Sequence, residues 1–173
     1  MARHAEASTS TANFERLYRQ DLSALIALAT TMTGNRDVGA DLAHEAMTRA
    51  YRDWRTVGSL DRPGAWIRRV VINLAIDAHR RRAREAIALA RLDPNPIATS
   101  SEAIDVVFWA AVRALPERQR AAVTLYYVED LAVAEIAEIL GVAAGTVKTS
   151  LFMARRSLAA SLGAEEVLDD NDR

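Results

Sequence analysis

Helical periodicity runs through nearly the whole chain, and it is the feature that most restricts the fold. Apolar residues recur every three or four positions in successive segments, and no stretch shows the alternation with period two that is typical of strands. Apolar residues make up 50% of the chain, which is enough to bury the cores of two small domains. The pattern therefore predicts an all-α protein.

Turn residues divide this helical pattern into two parts. Three helices are predicted first, at about 14–32, 38–54 and 63–84, with Asn13 as a candidate N-cap, Gly34 after the first helix and a loop at 56–62. The segment 85–101 contains two prolines among turn residues, which favours a flexible linker. Helices follow at about 102–114, 116–127, 133–140 and 147–162, with Ser101 and Thr146 as candidate caps. We expect helical domains at 13–84 and 102–162, with an acidic tail at 163–173.

Composition and residue spacing exclude several functional classes. The chain has no cysteine, so disulfides, thiolate nucleophiles and cysteine-based metal sites are excluded. The three histidines are too scattered to form a metal site, and no glycine-rich phosphate loop or nucleophile elbow occurs. We therefore expect no enzymatic activity, no metal and no cofactor. The N-terminus lacks the apolar core of a signal peptide and no apolar run could span a membrane, which predicts a cytoplasmic protein without membrane insertion.

The segment 131–151 carries the strongest local signal. Ile136 and Leu140 would line the inner face of a short helix, and Gly141 stands at a tight turn where a positive φ is easiest. Val147 and Leu151 would then pack back inside. This is the pattern of a helix-turn-helix, whose second helix presents its N-terminal residues to the major groove of DNA. An ordinary helical hairpin is the alternative, but it does not require these small, apolar and capping residues in one register.

A basic helix forms the second candidate site. The net charge is only −1, but arginines cluster on the predicted helix at 63–84. Guanidinium groups pair with phosphates, and an asparagine amide can read a base edge or a flipped base. A solvated basic face is the other interpretation. The candidate DNA-binding residues here are Arg68, Arg69, Asn73, Asp77, Arg80 and Arg81.

A mixed-charge ridge on the predicted second helix is the third signal. Asp41, Glu45, Arg49 and Arg52 stand three or four positions apart, so their side chains project from one side of the helix. Such a ridge could dock on a coiled coil of a partner, or it could only support the helix and its solubility. Side-chain chemistry alone does not separate these two interpretations.

The chain resembles the extracytoplasmic-function sigma factors over about 13–162. Each of the segments that carry the resemblance is modest by itself, but together and in this order they are highly specific. They are Phe14–Tyr18, Asp41–Met47, Trp66–Asp77, Leu115–Arg120 and Gly145–Lys148. The resemblance implies a transcription initiation factor that binds core RNA polymerase and directs it to promoters, regulated by an anti-sigma factor.

The resemblance also implies roles for particular residues. Asn73 would contact a flipped base of the melted minus-ten element, in a pocket walled by the loop at 57–62, while the nearby arginines steady the DNA backbone. The second domain would dock on the β flap of the polymerase and contact the minus-thirty-five element. The implied polymerase-binding residues, which face the clamp helices of the β′ subunit, are Asp41, Leu42, His44, Glu45 and Arg49. The implied minus-thirty-five residues are Thr146, Lys148, Thr149, Ser150, Phe152, Arg155 and Arg156.

Four positions depart from the family pattern. Ser150 and Met153 replace charged or polar groups on the recognition helix, where each bidentate base contact is worth about 1–3 kcal/mol. Ala132 replaces a capping serine or threonine, at a cost of about 1 kcal/mol in that helix. His44 replaces a common glutamine and introduces a titratable group.

Two further functions are compatible with parts of the sequence. A sigma-like decoy would bind an anti-sigma factor without recognising promoters, which fits the changed recognition helix but not the retained Asn73 and its arginines. An autonomous helix-turn-helix regulator would bind promoters without polymerase. The near-neutral net charge favours a factor that depends on the polymerase, because a protein of this charge searches DNA poorly by itself.

Overall fold

The computed structural model describes residues 2–90 and 104–163, and these two stretches contain eight α-helices and no strand. The prediction of an all-α protein is confirmed. The helices are α1 (Ala2–Thr33), α2 (Arg36–Arg52), α3 (Trp54–Val57), α4 (Pro63–Ala90), α5 (Ile104–Ala114), α6 (Glu117–Tyr127), α7 (Val133–Leu140) and α8 (Ala144–Leu162).

Two helices are longer than their sequence pattern predicted. Helix α1 begins at Ala2, so Asn13 lies inside the helix and its predicted role as an N-cap is wrong. Its side-chain oxygen instead accepts a hydrogen bond from Arg16 one turn later, at 3.3 Å. Helix α4 continues past the predicted end at 84 to Ala90, because residues 85–90 contain neither proline nor glycine to stop it. Most of the predicted linker, Ser101 and nearly all of the acidic tail lie outside the described residues.

The ends of α2 and α8 also differ from expectation. Asn35 caps α2, and its side-chain oxygen accepts from the amide of Val38 at 3.0 Å. Helix α2 ends at Arg52, and α3 occupies the first part of what the sequence predicted as a loop. Helix α8 has Ala143 at its N-cap, so the prediction that Thr146 caps this helix is wrong. Thr146 lies in the first turn instead, because the helix starts earlier, at residues without capping side chains.

The first unit (α1–α4) buries an apolar stripe from each of its long helices. Leu25 and Leu28 of α1 and Met47 of α2 pack with Ile67 and Val71 of α4, and all five are buried. Each such side chain contributes about 1.5–3 kcal/mol when it leaves water. This core fixes the rotation of α4 about its axis and turns its polar positions outward.

The second unit (α5–α8) packs around the predicted helix-turn-helix. Ile136 of α7 and Val147 and Leu151 of α8 are buried, as the sequence predicted. The axes of α7 and α8 bend by 103° at Gly141, within the range that helix-turn-helix motifs adopt. Gly141 has a φ of 66°, so the predicted positive φ at this turn is confirmed. In place of a side-chain cap at Ala132, its amide donates to the carboxylate of Glu135 at 3.2 Å.

The two units pack against each other within the described residues. Helix α1 contacts α5 and α6, and α4 contacts α7, so buried apolar residues of both units form one continuous cluster. None of the described helices is by itself long and apolar enough to cross a bilayer, although α7 and α8 pass that test as a bent pair.

Candidate nucleic-acid interface

The polar face of α4 carries the predicted minus-ten residues. Arg69, Asn73, Asp77, Arg80 and Arg81 are exposed and Arg68 is half-buried, while the opposite face of the helix packs into the core. The structure therefore places five of the six predicted side chains on the exposed surface of one helix, whereas Arg68 lies partly buried against the second unit. Three of these arginines, together with Arg62 just before the helix, bind groups of the second unit.

Arg68 is at the centre of these contacts. Its Nε donates to the carboxylate of Glu129 at 2.5 Å, and its Nη1 donates to Asp21 of its own unit at 3.2 Å. Glu129 is only 4% exposed, and burial raises the pKa of its carboxyl group, although the positive charge of Arg68 opposes that shift. Burial alone would lower the pKa of Arg68, but the contacts with Glu129 and Asp21 together outweigh it and raise the pKa.

Arg69 binds the carboxyl end of α7, next to the turn of the helix-turn-helix. Its Nε donates to the carbonyl of Ile139 at 2.7 Å and its Nη2 donates to the carbonyl of Glu138 at 2.5 Å. The last carbonyls of a helix have no partner within it and carry the negative end of its dipole. A guanidinium group is therefore well suited to this position.

Arg62, just before α4, and Arg80, in its second half, also form ion pairs with the second unit. Arg62 donates to the carboxylates of Glu135 and Glu138, both at 2.8 Å. Arg80 holds both oxygens of Glu117 with a bidentate fork at 2.7 and 2.6 Å, and this contact lowers the pKa of Glu117. The sequence analysis missed these glutamates as partners, because no one-dimensional pattern connects α4 with α6 or α7.

A groove between the two units brings together predicted DNA-binding residues of α4 and α8. The groove has a volume of about 280 Å³. Asn73 of α4 lines one wall, and Thr146 and Ser150 of α8 line another. The candidate minus-ten reader and two candidate minus-thirty-five readers thus face the same space.

Helix α8 presents the other predicted minus-thirty-five residues on its surface. Lys148, Thr149, Phe152 and Arg156 are exposed, and the guanidinium of Arg156 lies over the ring of Phe152 at 5.9 Å. Val147 on the inner face is buried, so these residues share the outer face of the recognition helix.

Arg155 is held in an aromatic setting that the sequence did not indicate. Its Nε donates to the hydroxyl of Tyr127 at 2.9 Å, and its guanidinium lies 5.8 Å from the ring centre of Tyr126. The two adjacent tyrosines end α6, and their spacing gives no signal of contact with α8. Both rings restrict where the charge of Arg155 can point.

The mixed-charge ridge on α2 is on the surface of the first unit. Asp41, His44 and Glu45 are exposed, and Leu42 and Arg49 are half-buried. Glu45 and Arg49 pair at 2.8 Å, and the ring of His44 donates to the carbonyl of Ala40 at 2.8 Å. A surface pocket beside the ridge is lined by aromatic and apolar side chains, among them Phe14, Tyr18, Met47 and Tyr51.

A buried arginine lies where α6 meets the first unit. Arg120 is 2% exposed, and its Nη1 donates to the carbonyl of Met32 at 3.2 Å and to Nδ1 of His79 at 3.4 Å. Burial and the charge of Arg120 lower the pKa of His79. This contact places a titratable group at the junction of the two units.

Comparison with protein families identifies both units. The family model for sigma-70 region 2 matches residues 17–85, and that for sigma-70 region 4 matches residues 106–158. The RNA polymerase sigma-E factor of Streptomyces coelicolor is 30% identical over 156 residues, which cover 89% of this chain and 88% of that protein. The ECF RNA polymerase sigma factor SigL of Mycobacterium tuberculosis is 31% identical over 170 residues, which cover 94% and 96%.

The solved structure of the sigma factor RpoE of Bartonella quintana, crystallised with the anti-sigma factor NepR, has the same fold. The TM-score is 0.67 at 24% identity, and the match covers 88% of this chain and 98% of that one. A basic helix and a helix-turn-helix, each matched by its own sigma-70 region, define the class of transcription initiation factors. The chain belongs to the extracytoplasmic-function sigma factors, which direct bacterial RNA polymerase to promoters.

Proposed function

We propose that this chain binds core RNA polymerase and directs it to a specific set of promoters, reading the minus-ten element with its first unit and the minus-thirty-five element with its second. The observation that carries the proposal is the outward face of α4, where Asn73 stands among arginines on a helix whose other face is fixed by the core. The functional units are 13–84 and 102–162, close to the two matched sigma-70 regions. The protein acts in the cytoplasm and catalyses no reaction of its own.

The ridge on α2 is the proposed docking site for the clamp helices of the β′ subunit. Charged groups of both signs lie on its surface, and Leu42 supplies an apolar contact between them. The Glu45–Arg49 pair is exposed at 2.8 Å and is free to exchange partners, because exposed pairs of this kind are worth less than about 1 kcal/mol. The β flap is the proposed partner of the second unit.

The outer face of α4 is the proposed binding site for the melted minus-ten strand. The amide of Asn73 has the donor and acceptor needed to read an unstacked base. Guanidinium groups on both sides would bind backbone phosphates, which position the strand without specifying its sequence. Asp77 cannot bind phosphate, since it carries the same charge, and its proposed partner is a donor group of a base.

The outer face of α8 is the proposed reader of the minus-thirty-five element. Lys148, Arg155 and Arg156 supply cations, Thr146 and Thr149 supply hydroxyl groups, and Phe152 supplies an apolar contact for a thymine methyl group. The small Ser150 shifts specificity away from a bidentate guanine contact at its position.

An anti-sigma factor is the proposed regulator. Solved structures of similar fold include those of RpoE with the anti-sigma factor NepR and of CnrH with the cytosolic domain of CnrY. The large area of polar and apolar surface on both units of the present chain offers a comparable partner several places to bind.

Run-off transcription tests the proposal. Core polymerase from the source organism is given genomic promoter fragments with and without the protein. We expect discrete new transcripts only in its presence, and alignment of their start sites gives both promoter elements. Absence of transcripts with polymerase binding retained in gel filtration would favour a decoy that binds an anti-sigma factor. Promoter binding without polymerase would indicate an autonomous regulator.

A further inference from the structure

The outer face of α8 combines positive charge with exposed apolar side chains. Lys148, Arg155 and Arg156 are the charged residues of this helix, and its sequence contains no aspartate or glutamate. Phe152 is 50% exposed and Met153 is 43% exposed, although both are large apolar residues. The guanidinium of Arg156 lies 5.9 Å from the ring centre of Phe152, so cationic and apolar groups are adjacent on this face.

Met153 is the part of this face to which the proposed reading of DNA gives no role. In the major groove of DNA the thymine methyl group is the apolar contact, and Phe152 is already assigned to it. A methionine side chain is unbranched and adapts to irregular apolar surfaces, as a contact with a protein segment requires. Its exposure on the recognition helix therefore indicates a second occupant of this face that carries apolar side chains.

The acidic tail (163–173) has the complementary chemistry. Its carboxylates match guanidinium and ammonium groups, and an apolar pair between them matches Phe152 and Met153. Nearly all of the tail lies outside the described residues, so this complementarity is read from its sequence. The order along the chain is Glu165, Glu166, Val167, Leu168, Asp169 and Asp170.

Helix α8 brings the tail within reach of its own outer face. The helix ends at Leu162, and Gly163 follows with a φ of 66°, a conformation that stops a helix and turns the chain. Along the helix axis, Arg156 lies about 10 Å and Lys148 about 22 Å before Gly163. An extended segment from Gly163 to Asp170 spans at most about 23–25 Å. The tail is therefore long enough to reach every cation of α8.

The carboxyl end of α8 disfavours carboxylates that stay beside it. The last carbonyl groups of a helix carry negative partial charge, and α8 has no basic residue in its last turn to offset that charge. Glu165 and Glu166 follow this end directly, so they are repelled from it and attracted toward Arg155 and Arg156. A contact between segments so close in the chain also has an effective concentration in the millimolar range.

We propose that the acidic tail binds the outer face of α8 and competes there with promoter DNA. The identity of the competing ligand rests on the function proposed above, which assigns this face to the minus-thirty-five element. Carboxylates take the place of phosphates, while Val167 and Leu168 cover Phe152 and Met153. The ion pairs are exposed, so each is weak and screened by salt, and DNA that the holoenzyme holds at several points displaces the tail. The tail thereby lowers non-specific DNA binding by the free protein.

A spin label on the tail tests the contact by NMR spectroscopy. The chain has no cysteine, so Asn171→Cys accepts a nitroxide label at this position only. The tail variant removes four negative charges and nearly keeps side-chain size, through Glu165→Gln, Glu166→Gln, Asp169→Asn and Asp170→Asn. The control variant changes net charge equally at exposed positions of the first unit, through Glu15→Gln, Asp37→Asn, Asp53→Asn and Glu85→Gln.

We expect the label to broaden the amide signals of Thr149, Phe152 and Met153 in the parent and the control at low salt, with recovery as salt increases. In the tail variant the signal of Thr149, about 21 Å along the axis from Gly163, should be sharp already at low salt. Met153→Gln should also sharpen it, without any change of charge. Broadening of Thr149 that survives the four substitutions would overturn the proposal, and so would broadening in the parent that is confined to the last turn of α8 or centred on α4.

Fluorescence anisotropy with a labelled duplex of mixed sequence measures the competition. The tail variant should bind this duplex roughly tenfold more tightly than the control at low salt, as expected when several exposed pairs are lost, and the difference should shrink as salt increases. Adding Lys148→Gln and Arg156→Gln to the tail variant should abolish the gain. Equal affinity of the tail variant and the control would overturn the proposal, and so would a gain that persists without these two cations.

Run-off transcription with core polymerase separates this proposal from the proposed function. The tail variant retains α4 and α8, so it should transcribe at least as well as the parent. Absence of transcription by the parent, with the NMR result intact, would refute the proposed function and leave the contact between the tail and α8 standing. Transcription by the parent without broadening on α8 would refute the contact alone.

Discussion

Gly141 offers a quantitative test of the helix-turn-helix, because its backbone lies in the left-handed region. Its φ is 66° and its ψ is 39°, and an added Cβ would meet the guanidinium of Arg69 at 3.4 Å, which is an ordinary van der Waals distance. Steric conflict with neighbours therefore contributes little to the effect of Gly141→Ala. The conformational penalty remains at about 1–2 kcal/mol, reduced by the lower chain entropy of alanine in the unfolded state. We expect a net loss of about 1 kcal/mol in the free energy of unfolding.

Two other glycines provide matched comparisons. Gly163 has the same φ of 66° and nothing within 4 Å of an added Cβ, but it follows the last helix, where local fraying absorbs the strain. Gly34 has a φ of 73°, and its added Cβ would lie 2.6 Å from the Cδ of Arg113, so that side chain must also move. The expected loss of stability is therefore largest for Gly34→Ala, intermediate for Gly141→Ala and smallest for Gly163→Ala.

Urea denaturation followed by circular dichroism at 222 nm measures this order. A loss of about 1 kcal/mol corresponds to a decrease of roughly 2–4 °C in Tm for a chain of this size, so a thermal scan gives a second reading. A Gly141→Ala variant as stable as the parent, or less stable than Gly34→Ala, would contradict the reasoning. Parent-like stability of Gly141→Ala would mean that the turn relaxes without strain. Lower stability than Gly34→Ala would mean that the added methyl group conflicts with Arg69 more than the distance of 3.4 Å indicates.

The remaining predictions concern function and pH. Asn73→Ala should reduce promoter opening, measured by permanganate reactivity, and leave polymerase affinity within about twofold, since base contacts specify sequence and do not dock the polymerase; equal loss of both would refute its assignment. Ser150→Arg should strengthen minus-thirty-five binding by about 1–3 kcal/mol if the new contact is bidentate, measured by fluorescence anisotropy with the holoenzyme at moderate salt; unchanged affinity would contradict the register of α8. The lowered pKa of His79 means that the unfolded chain binds more protons than the folded one, so this group's contribution to stability falls as the pH drops through about 6.5. Urea denaturation at pH 7.5 and 5.5 gives the change in the free energy of unfolding between these two pH values. This change should be smaller for His79→Asn than for the parent. An equal change would show that the charges of Arg120, Glu117 and Arg82 around His79 do not alter stability through its protonation.

Local patterns were sufficient to predict the helix-turn-helix. The apolar spacing around Ile136, Val147 and Leu151 defines one buried face, and only a glycine takes a φ of 66° easily at position 141. The stripe on α4 was predictable for the same reason, since a helical period fixes which positions face the core. The position of the six predicted minus-ten residues away from the core of the first unit follows from that stripe, but the burial of Arg68 against the second unit does not.

Helix ends were less predictable because local stop signals are weak here. Nothing in the first dozen residues resembles a breaker, so a helix start at Ala2 has no signature that distinguishes it from a start at residue 14. Helix α8 has Ala143 at its N-cap, which has no capping side chain. The nearest residue with one is Thr146, so the sequence pattern placed the cap three residues too late.

Contacts between the two units could not be predicted from local sequence. The glutamates that bind Arg62, Arg68 and Arg80 resemble ordinary solvated charges in their local sequence, whether in a helix or, for Glu129, in the turn between α6 and α7. Their role depends on how α4 lies against α6 and α7, which is a property of tertiary packing. The contacts of Arg155 with two tyrosines are unpredictable for the same reason, because the nearer one, Tyr127, is 28 residues away in sequence.

The length of α4 has a kinetic consequence. From Arg62 to Arg80 the contacts with the second unit extend over about 27 Å at 1.5 Å per residue. These attachments lie beside the continuous apolar cluster that the two units share, so separation of the units also exposes apolar surface to water, and the polar pairs do not set its barrier alone. Salt screens only the polar part of this barrier, so the rate of separation should increase with ionic strength and then level off at the value that the apolar contacts set.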